Sequence, residues 1–469
     1  MSVTMPPRGE HTEAASFIAD PTAFFEKSYT AMHSLPLDML DRLQREGLAL
    51  RFASAMERIA MLRRLAERQG ISSIVEIGDV VPLLFEHTMY KSYPASLLEQ
   101  QRFDQLTLWL DKLTSVDLAE VDASQCDSID AWLETLVESV SVDPAFSSGT
   151  SGTMSFIPWS TGDITRRCES RRVSELQTFG EAPTREQLES AFHHISVTNR
   201  SRGDYMGPVF SRGEPGHSHL FEPNGESADL LWLAARLRLA AARGDATRVS
   251  VPESLLRRKG ELERAHATAA ERKREWARSI VGLAGQRVLW SGQPFLMYQL
   301  ARDFLDRDIR CEFAPGSVLI LGGGFKGNEL PDDWLARVEE FVGIRAKWVY
   351  AMVEVGANHV MCGNGRYHLQ PWVIPFVLDP FTSELMPRSG VQRGRIALFD
   401  LSAESRWGGV ITGDEAEVAF DEPCGCGATT PHLSANIERL SEKRGGDDKI
   451  LCTASPQAHA EAMQYLVGQ

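Results

Sequence analysis

Phe146–Ser155 reads FSSGTSGTMS, a run of small hydroxyl and glycine residues directly after the apolar, strand-like piece Val137–Val142. Glycine adopts backbone angles that other residues avoid, so such a loop can turn successive N–H groups and hydroxyls towards one anion. A phosphate cradle is one reading, and on composition alone a flexible linker is the better one. No Gly-Lys-Ser/Thr follows, which excludes a Walker-type P-loop. Three further stretches carry chemistry: a glycine turn after an apolar strand (SVLILGGGFKG, Ser317–Gly327), an aromatic-to-acid run (VYAMVE, Val349–Glu354) and a late Thr412-Gly413-Asp414.

At 469 residues the chain exceeds the usual size of a single domain, and its 43% hydrophobic and 24% charged residues describe an ordinary globular protein. A formal charge of −15 repels polyanions, which argues against nucleic acid or an anionic membrane as a partner. No apolar run approaches the ~20 residues of a membrane helix. The N-terminus, MSVTMPPRGEHTEAASF, lacks a signal pattern, so a cytoplasmic location is expected. Seven cysteines scattered over the chain do not suggest a disulfide framework.

Apolar residues recur at helical spacing over 38–69 and 95–113, which makes the first part of the chain largely helical. Beyond the Gly/Ser/Thr loop the patterns alternate. Helices are expected over 227–243, 253–280, 295–306 and 332–342, and strands over 287–290, 317–321 and 346–352. Strands separated by helices call for parallel pairing with helices covering the sheet, so the class is α/β. Past Val373 β-branched residues cluster over 373–378, 395–399, 409–412 and 416–418, which predicts a largely antiparallel end.

In order and separation these stretches resemble the adenylate-forming superfamily, whose phosphate loop reads roughly [ST]-S-G-T-[ST]-G. GGGFKG, YAMVE and the following CGNGRYHLQPW are most similar to its acyl-protein synthetase (LuxE-type) branch, with phenylacetate–CoA ligases as nearest relatives. The resemblance implies that Ser147, Ser148, Gly149, Thr150, Ser151, Gly152 and Thr153 surround the phosphates of ATP. Met154, Ser155 and Phe156 stand where the family often carries a lysine, which leaves the phosphate-facing cation open. Gly322, Gly323 and Gly324 would lie against adenine and the substrate carboxylate, with Lys326 near the carboxylate or a phosphate. Tyr350 would stack near adenine and Glu354 would help hold Mg²⁺, although Ala351 and Val353 replace the family's glycine and threonine. Asp414 would accept the ribose hydroxyls, a carboxylate having two acceptor oxygens for two O–H donors. In EKRGGDDKI (442–450), similar to the family's hinge, Arg444 is the nucleotide-facing arginine and Arg439 the alternative. The pair His193–His194 falls where many such enzymes place an aromatic or histidine beside the acid pocket.

The implied architecture is a large adenylate-forming domain with parallel sheets flanked by helices and a β-rich end. Residues 1–130 form a helical extension packed on the core, 131–440 the core domain, and 441–469 a truncated C-terminal segment. The implied reaction is ATP-dependent activation of a carboxylic acid to an acyl-adenylate. The acyl group then passes to a thiol of the chain itself, with Cys452 as acceptor, or of an acyl-carrier or reductase protein. CoA as acceptor and a non-catalytic nucleotide-binding protein are the alternatives. Cys362, His368, Cys424 and Cys426 form two close pairs of soft or borderline ligands in glycine-rich turns, the donor set of a structural Zn²⁺ site. His359 is the alternative imidazole.

Overall fold

A parallel strand covered on both faces reads as an unbroken apolar run, and Val318–Leu321 (VLIL) is buried along its whole length. The computed structural model describes residues 12–148, 153–177, 190–197, 205–221, 227–242, 249–323, 329–440 and 456–467. Its strands are β1 (Phe85–Glu86), β2 (Ala145–Ser148), β3 (Met154–Ile157), β4 (His193–Val197), β5 (Ser218–Phe221), β6 (Val288–Gly292), β7 (Val318–Leu321) and β8 (Ala346–Tyr350). They continue with β9 (His359–Val360), β10 (Arg366–His368), β11 (Val373–Leu378), β12 (Val391–Asp400), β13 (Gly409–Ala419), β14 (His432–Ser434) and β15 (Glu438–Arg439).

The fold is mixed α/β. One sheet has the order β5-β4-β6-β7-β8-β9, parallel except for the β8–β9 pair. The helices Pro294–Leu305 and Trp334–Val342 lay Met297, Leu300, Phe304, Val338 and Phe341 into a shared core with Trp290 and Leu319. A second sheet runs β10-β14-β13-β12-β11 and is antiparallel, with β1 added parallel to β13 and β15 antiparallel to it. It shares one hydrophobic core with the N-terminal helices, in which Phe17, Leu43, Leu62 and Phe103 meet Ile374, Phe376, Ile396 and Leu398. The helix Pro456–Val467 packs against the helices Ala228–Ala242 and Glu253–Val281 through Ala462, Met463 and Leu466. Tyr465 Oη donates to the Val249 carbonyl at 2.6 Å. No helix among the described residues is long and apolar enough to cross a membrane.

Four expectations are corrected. Residues 137–142 are not strand-like: they close the helix Ile129–Val140, whose Ser128 cap accepts from Ala131 N and whose apolar residues Ile129, Trp132, Leu133 and Leu136 share a buried helical face. The strand before the loop is β2, and β2 and β3 form an antiparallel hairpin in register Ser148↔Met154. The stretch 95–113 divides into helices Ser96–Glu99 and Phe103–Leu110, with Gln101 between them at φ 53°. Residues 409–412 and 416–418 belong to one strand, β13.

Candidate functional site

Ligands of open parallel sheets bind beyond the carboxyl ends of the strands, and two of the glycine and acid motifs emerge there. β7 ends at Leu321 and runs directly into Gly322 and Gly323. A Cβ on Gly322 would stand 2.8 Å from Val349 Cγ2 and 3.2 Å from the Val349 carbonyl on β8, so only glycine lets the two strand ends approach. Gly323 has φ +86°, the left-handed region that favours glycine. His193 and His194 open β4, at the opposite end of the sheet. There His193 Nδ1 lies 2.9 Å from His219 Nε2 and His194 stacks on Phe210, away from the glycine turn.

β8 ends at Tyr350, and the chain returns in β9 with Tyr350 opposite His359. Glu354 stands in the loop between them, half-buried. Tyr350 Oη donates to Asp414 Oδ2 at 2.9 Å, which joins the aromatic motif on one sheet to the acid on the other. Burial, reinforced by the Asp414 charge, holds the Tyr350 phenol well above its ordinary pKa, so it serves as a neutral donor. Thr412-Gly413-Asp414 is no turn. Arg395 pairs with Glu415 and Ala397 with Ile411, so 412–414 bulge opposite Ile396 within a strand. A bulge re-aims side chains. Here Thr412 Oγ1 donates to the Ile396 carbonyl at 2.6 Å and accepts from Asp414 N at 3.1 Å, which fixes the acid. Arg439 Nε lies 3.1 Å from Asp414 Oδ1, so the alternative arginine is the one found beside this carboxylate.

The hairpin β2–β3 brings Thr153 and the backbones of Ser147 and Ser148 to one tip. Gly149, Thr150, Ser151 and Gly152 lie outside the described residues, as do Gly324, Lys326, Arg444 and Cys452.

Three residues beside this site carried no motif. Trp159, just past the hairpin, donates from Nε1 to the Val353 carbonyl at 3.1 Å. Arg406 is fully buried with its guanidinium 3.6 Å from the Trp159 ring centroid. Arg167, on the helix Thr161–Leu176, lies 5.0 Å from the same ring. The nearby carboxylates are engaged elsewhere, Glu175 with Arg171 at 2.9 Å and Asp163 with Arg166 and Arg406, and none forms an ion pair with Arg167 among the described residues. Burial, with the neighbouring Arg171 charge, pushes Arg167 down to about 10. A readable signal did exist: arginines one turn apart, Arg167 and Arg171, on the helix that directly follows the glycine-rich hairpin.

The two cysteine and histidine turns converge. One ligand atom from each of Cys362, His368, Cys424 and Cys426 lies within 4.8 Å of all the others. Cys362 Sγ is 3.8 Å from Cys424 Sγ, and His368 Nε2 is 3.2 Å from Cys426 Sγ. Thiolates at ~2.3 Å from a tetrahedral ion stand about 3.8 Å apart, so the donor set fits zinc in type and spacing. Cys362 opens one tight turn, with His368 on the strand β10 that follows it, and Cys424 and Cys426 share another; each turn is closed by a glycine with positive φ, Gly365 N donating to the Cys362 carbonyl and Gly427 N to the Cys424 carbonyl, both at 2.9 Å. Pairing of β10 with β14, with His368 opposite His432, holds the turns together. The alternative, His359, is buried and accepts from Gln370 N through Nδ1 at 3.2 Å.

No family model and no curated protein matches the chain. Among solved structures it is similar to an open conformation of 2-hydroxyisobutyryl-CoA ligase in complex with 2-HIB-AMP and CoA. The identity is 13%, the alignment covers 93% of this chain and 79% of that one, and the TM-score is 0.48. MatB from Rhodopseudomonas palustris in its apo form gives 14%, 61% and 46%, and 0.31. The luciferase-like enzyme of the Zophobas morio mealworm gives 12%, 63% and 57%, and 0.33.

Proposed function

We propose that the chain activates a carboxylic acid with ATP and passes the acyl group to a thiol. The acid oxygen attacks the α-phosphorus, the bond to the bridging oxygen breaks and pyrophosphate leaves. A thiolate then attacks the acyl carbon of the acyl-adenylate and AMP departs. The observation that carries this reading is the Tyr350–Asp414 hydrogen bond, which unites two motifs 64 residues apart beside the glycine turn. Asp414 takes the ribose hydroxyls, Tyr350 flanks adenine, and Gly322 and Gly323 admit the nucleotide to the strand ends. The hairpin residues Ser147, Ser148, Gly149, Thr150, Ser151, Gly152 and Thr153 surround the phosphates, with Gly324 and Lys326 completing the turn and Arg444 or Arg439 facing the nucleotide. Arg167 is the cation that the hairpin lacks. Glu354 is the residue that would hold Mg²⁺, which when bound neutralises charge building on the phosphoryl oxygens. Cys362, His368, Cys424 and Cys426 hold a structural Zn²⁺.

The thiol is Cys452, a carrier or reductase protein, or CoA. Pyrophosphate release over a panel of acids, with free CoA present or absent, tests the reaction and the acceptor together. Asp414→Ala and Glu354→Ala are expected to lower acid-dependent release by about 100-fold or more while leaving the unfolding transition in place. Normal release in either variant, or ATP binding without turnover on any acid, would overturn the proposal. A thioester on Cys452 detected by mass spectrometry would make the chain its own acceptor.

A further inference from the structure

The loop bearing Glu354 is held by three bonds, one from Trp159 and two from the stretch 400–406. Trp159 Nε1 donates to the Val353 carbonyl at 3.1 Å, Arg406 Nη2 donates to the Glu354 carbonyl at 3.1 Å, and Gly356 N donates to Asp400 Oδ2 at 2.7 Å. The three holders also bind one another. The Arg406 guanidinium lies over the Trp159 ring at 3.6 Å, and its Nη2 is 3.4 Å from Asp400 Oδ2. Gly356 fits because it has no side chain: a Cβ there would stand 2.9 Å from Asp400 Oδ2 and 3.4 Å from Trp159 Cη2.

A fully buried arginine requires compensation of its charge. Asp400 supplies it, and Asp163 Oδ2 lies 3.7 Å from Nη1. Yet Nε and Nη1 of Arg406 have no hydrogen-bond partner among the described residues. A cation serving only as internal glue would be matched at every donor at least cost; this one is placed by the ring and the Glu354 carbonyl instead. Asp163 in turn accepts from Ser405 N at 2.9 Å, and Ser405 Oγ donates to the Pro158 carbonyl at 3.1 Å, so the residue before Arg406 is tied to the residue before Trp159.

We propose that Arg406 is a positioning residue: with Trp159 and Asp400 it fixes the backbone of residues 353–356, and it makes the stance of the Glu354 carboxylate depend on the seating of the β2–β3 hairpin, from which Trp159 descends. This deepens the adenylation reading and rests on it for the role of Glu354. The consequence is a site in which the phosphate-contacting hairpin and the metal-holding acid move as one.

Two variants test it, Arg406→Lys and Trp159→Phe, the second keeping an aromatic ring while removing the pyrrole part of the indole with its Nε1 donor, so that β11 and β12 serve as the control for general loosening. Amide hydrogen exchange over residues 351–358 is compared with that of β11 and β12 in the same protein, beside the Mg²⁺ dependence of acid-dependent pyrophosphate release. Expected are exchange about tenfold faster in 351–358 with β11 and β12 unchanged, and an Mg²⁺ half-saturation about tenfold higher at unaltered KM for the acid. Unchanged local exchange in Trp159→Phe, or exchange rising equally throughout, overturns the proposal, even if Arg406→Lys fails to fold. Wild-type protein that releases no pyrophosphate would sink the adenylation reading alone, since the exchange arm still decides positioning.

Discussion

Arg167 carries a charge that no carboxylate answers at ion-pair distance among the described residues, and burial has already pulled it down to about 10. An unpaired, half-buried guanidinium costs stability unless something anionic arrives. The proposed nucleotide supplies that anion, and Trp159 sets the cation one ring away from the Glu354 loop. Arg167→Met is therefore expected to raise the KM for ATP by about tenfold or more, to leave the KM for the acid unchanged, and to keep or slightly increase thermal stability. Steady-state pyrophosphate kinetics and a melting curve check all three. An unaltered KM for ATP, or a fall in melting temperature, would mean that Arg167 is a structural cation. Asp414 is the contrasting residue: among the described residues each carboxylate oxygen has one partner, Tyr350 or Arg439, so a carboxylate with about four lone-pair sites keeps acceptor capacity for the proposed ribose.

At the scale of elements, two helices cap one another. Asp229 accepts from Ile129 N at 2.9 Å and Asp130 N at 3.1 Å, at the start of the helix Ile129–Val140. Asp130 in return accepts from Ala228 N at 2.7 Å and Ser227 Oγ at 2.6 Å, at the start of Ala228–Ala242. Burial first, then the Asp130 charge, raises Asp229 from an ordinary 3.8 to about 7. Between these values the folded state keeps a proton that the unfolded state releases. The stability this contributes is complete below about pH 4 and is lost as pH rises through 7, at a slope of up to about 1.4 kcal/mol per pH unit. Asp229→Asn carries no titrating group there. Relative to wild type it should gain stability steadily from pH 4 to 7, measured as urea-unfolding free energies; a constant difference across that range would refute the assignment. Much of this level was legible: the helix Glu253–Val281 and strands β6, β7 and β8 fall within about two residues of their expected bounds because local periodicity sets them. The Asp414 bulge was not, because it depends on which residues of β12 stand opposite, and register is a property of two strands. Residues 137–142 misled for a related reason: their apolar pattern suits a strand, but the Ser128 cap and the face shared with Trp132 extend the helix through Val140.

At the scale of the whole molecule, the two sheets are joined where Tyr350, next to the glycine turn, meets Asp414, and the cysteine and histidine cluster joins the turns that follow β9 and β13. Its four residues were readable in sequence because soft ligands in paired, glycine-rich turns are rare by chance. The cluster around Arg406 was not, because Trp159, Arg406 and Asp400 acquire a common purpose only once folding brings them together. The Cys362 turn follows β9, which pairs with β8 beside Glu354, and the Cys424 turn follows β13, which bears Asp414. An ion there would tie β9 to β13 across 62 residues of sequence, bracing both of the acids proposed to contact the nucleotide and its metal. About one equivalent of zinc per chain is expected on metal analysis of the purified protein. Cys362→Ser and Cys424→Ser should each lower stability by several kcal/mol, since the free energy of binding a structural ion is folding free energy. Because the brace holds Asp414 only through β13 and Glu354 only through the β8–β9 loop, the surviving folded fraction should show a raised KM for ATP with the acid preference intact. Removal of the ion with a chelator should reproduce the same shift in the wild-type protein and re-addition of zinc should reverse it. Less than about half an equivalent of zinc, with both serine variants as stable as wild type, would leave four side chains that converge without a metal and would defeat the brace.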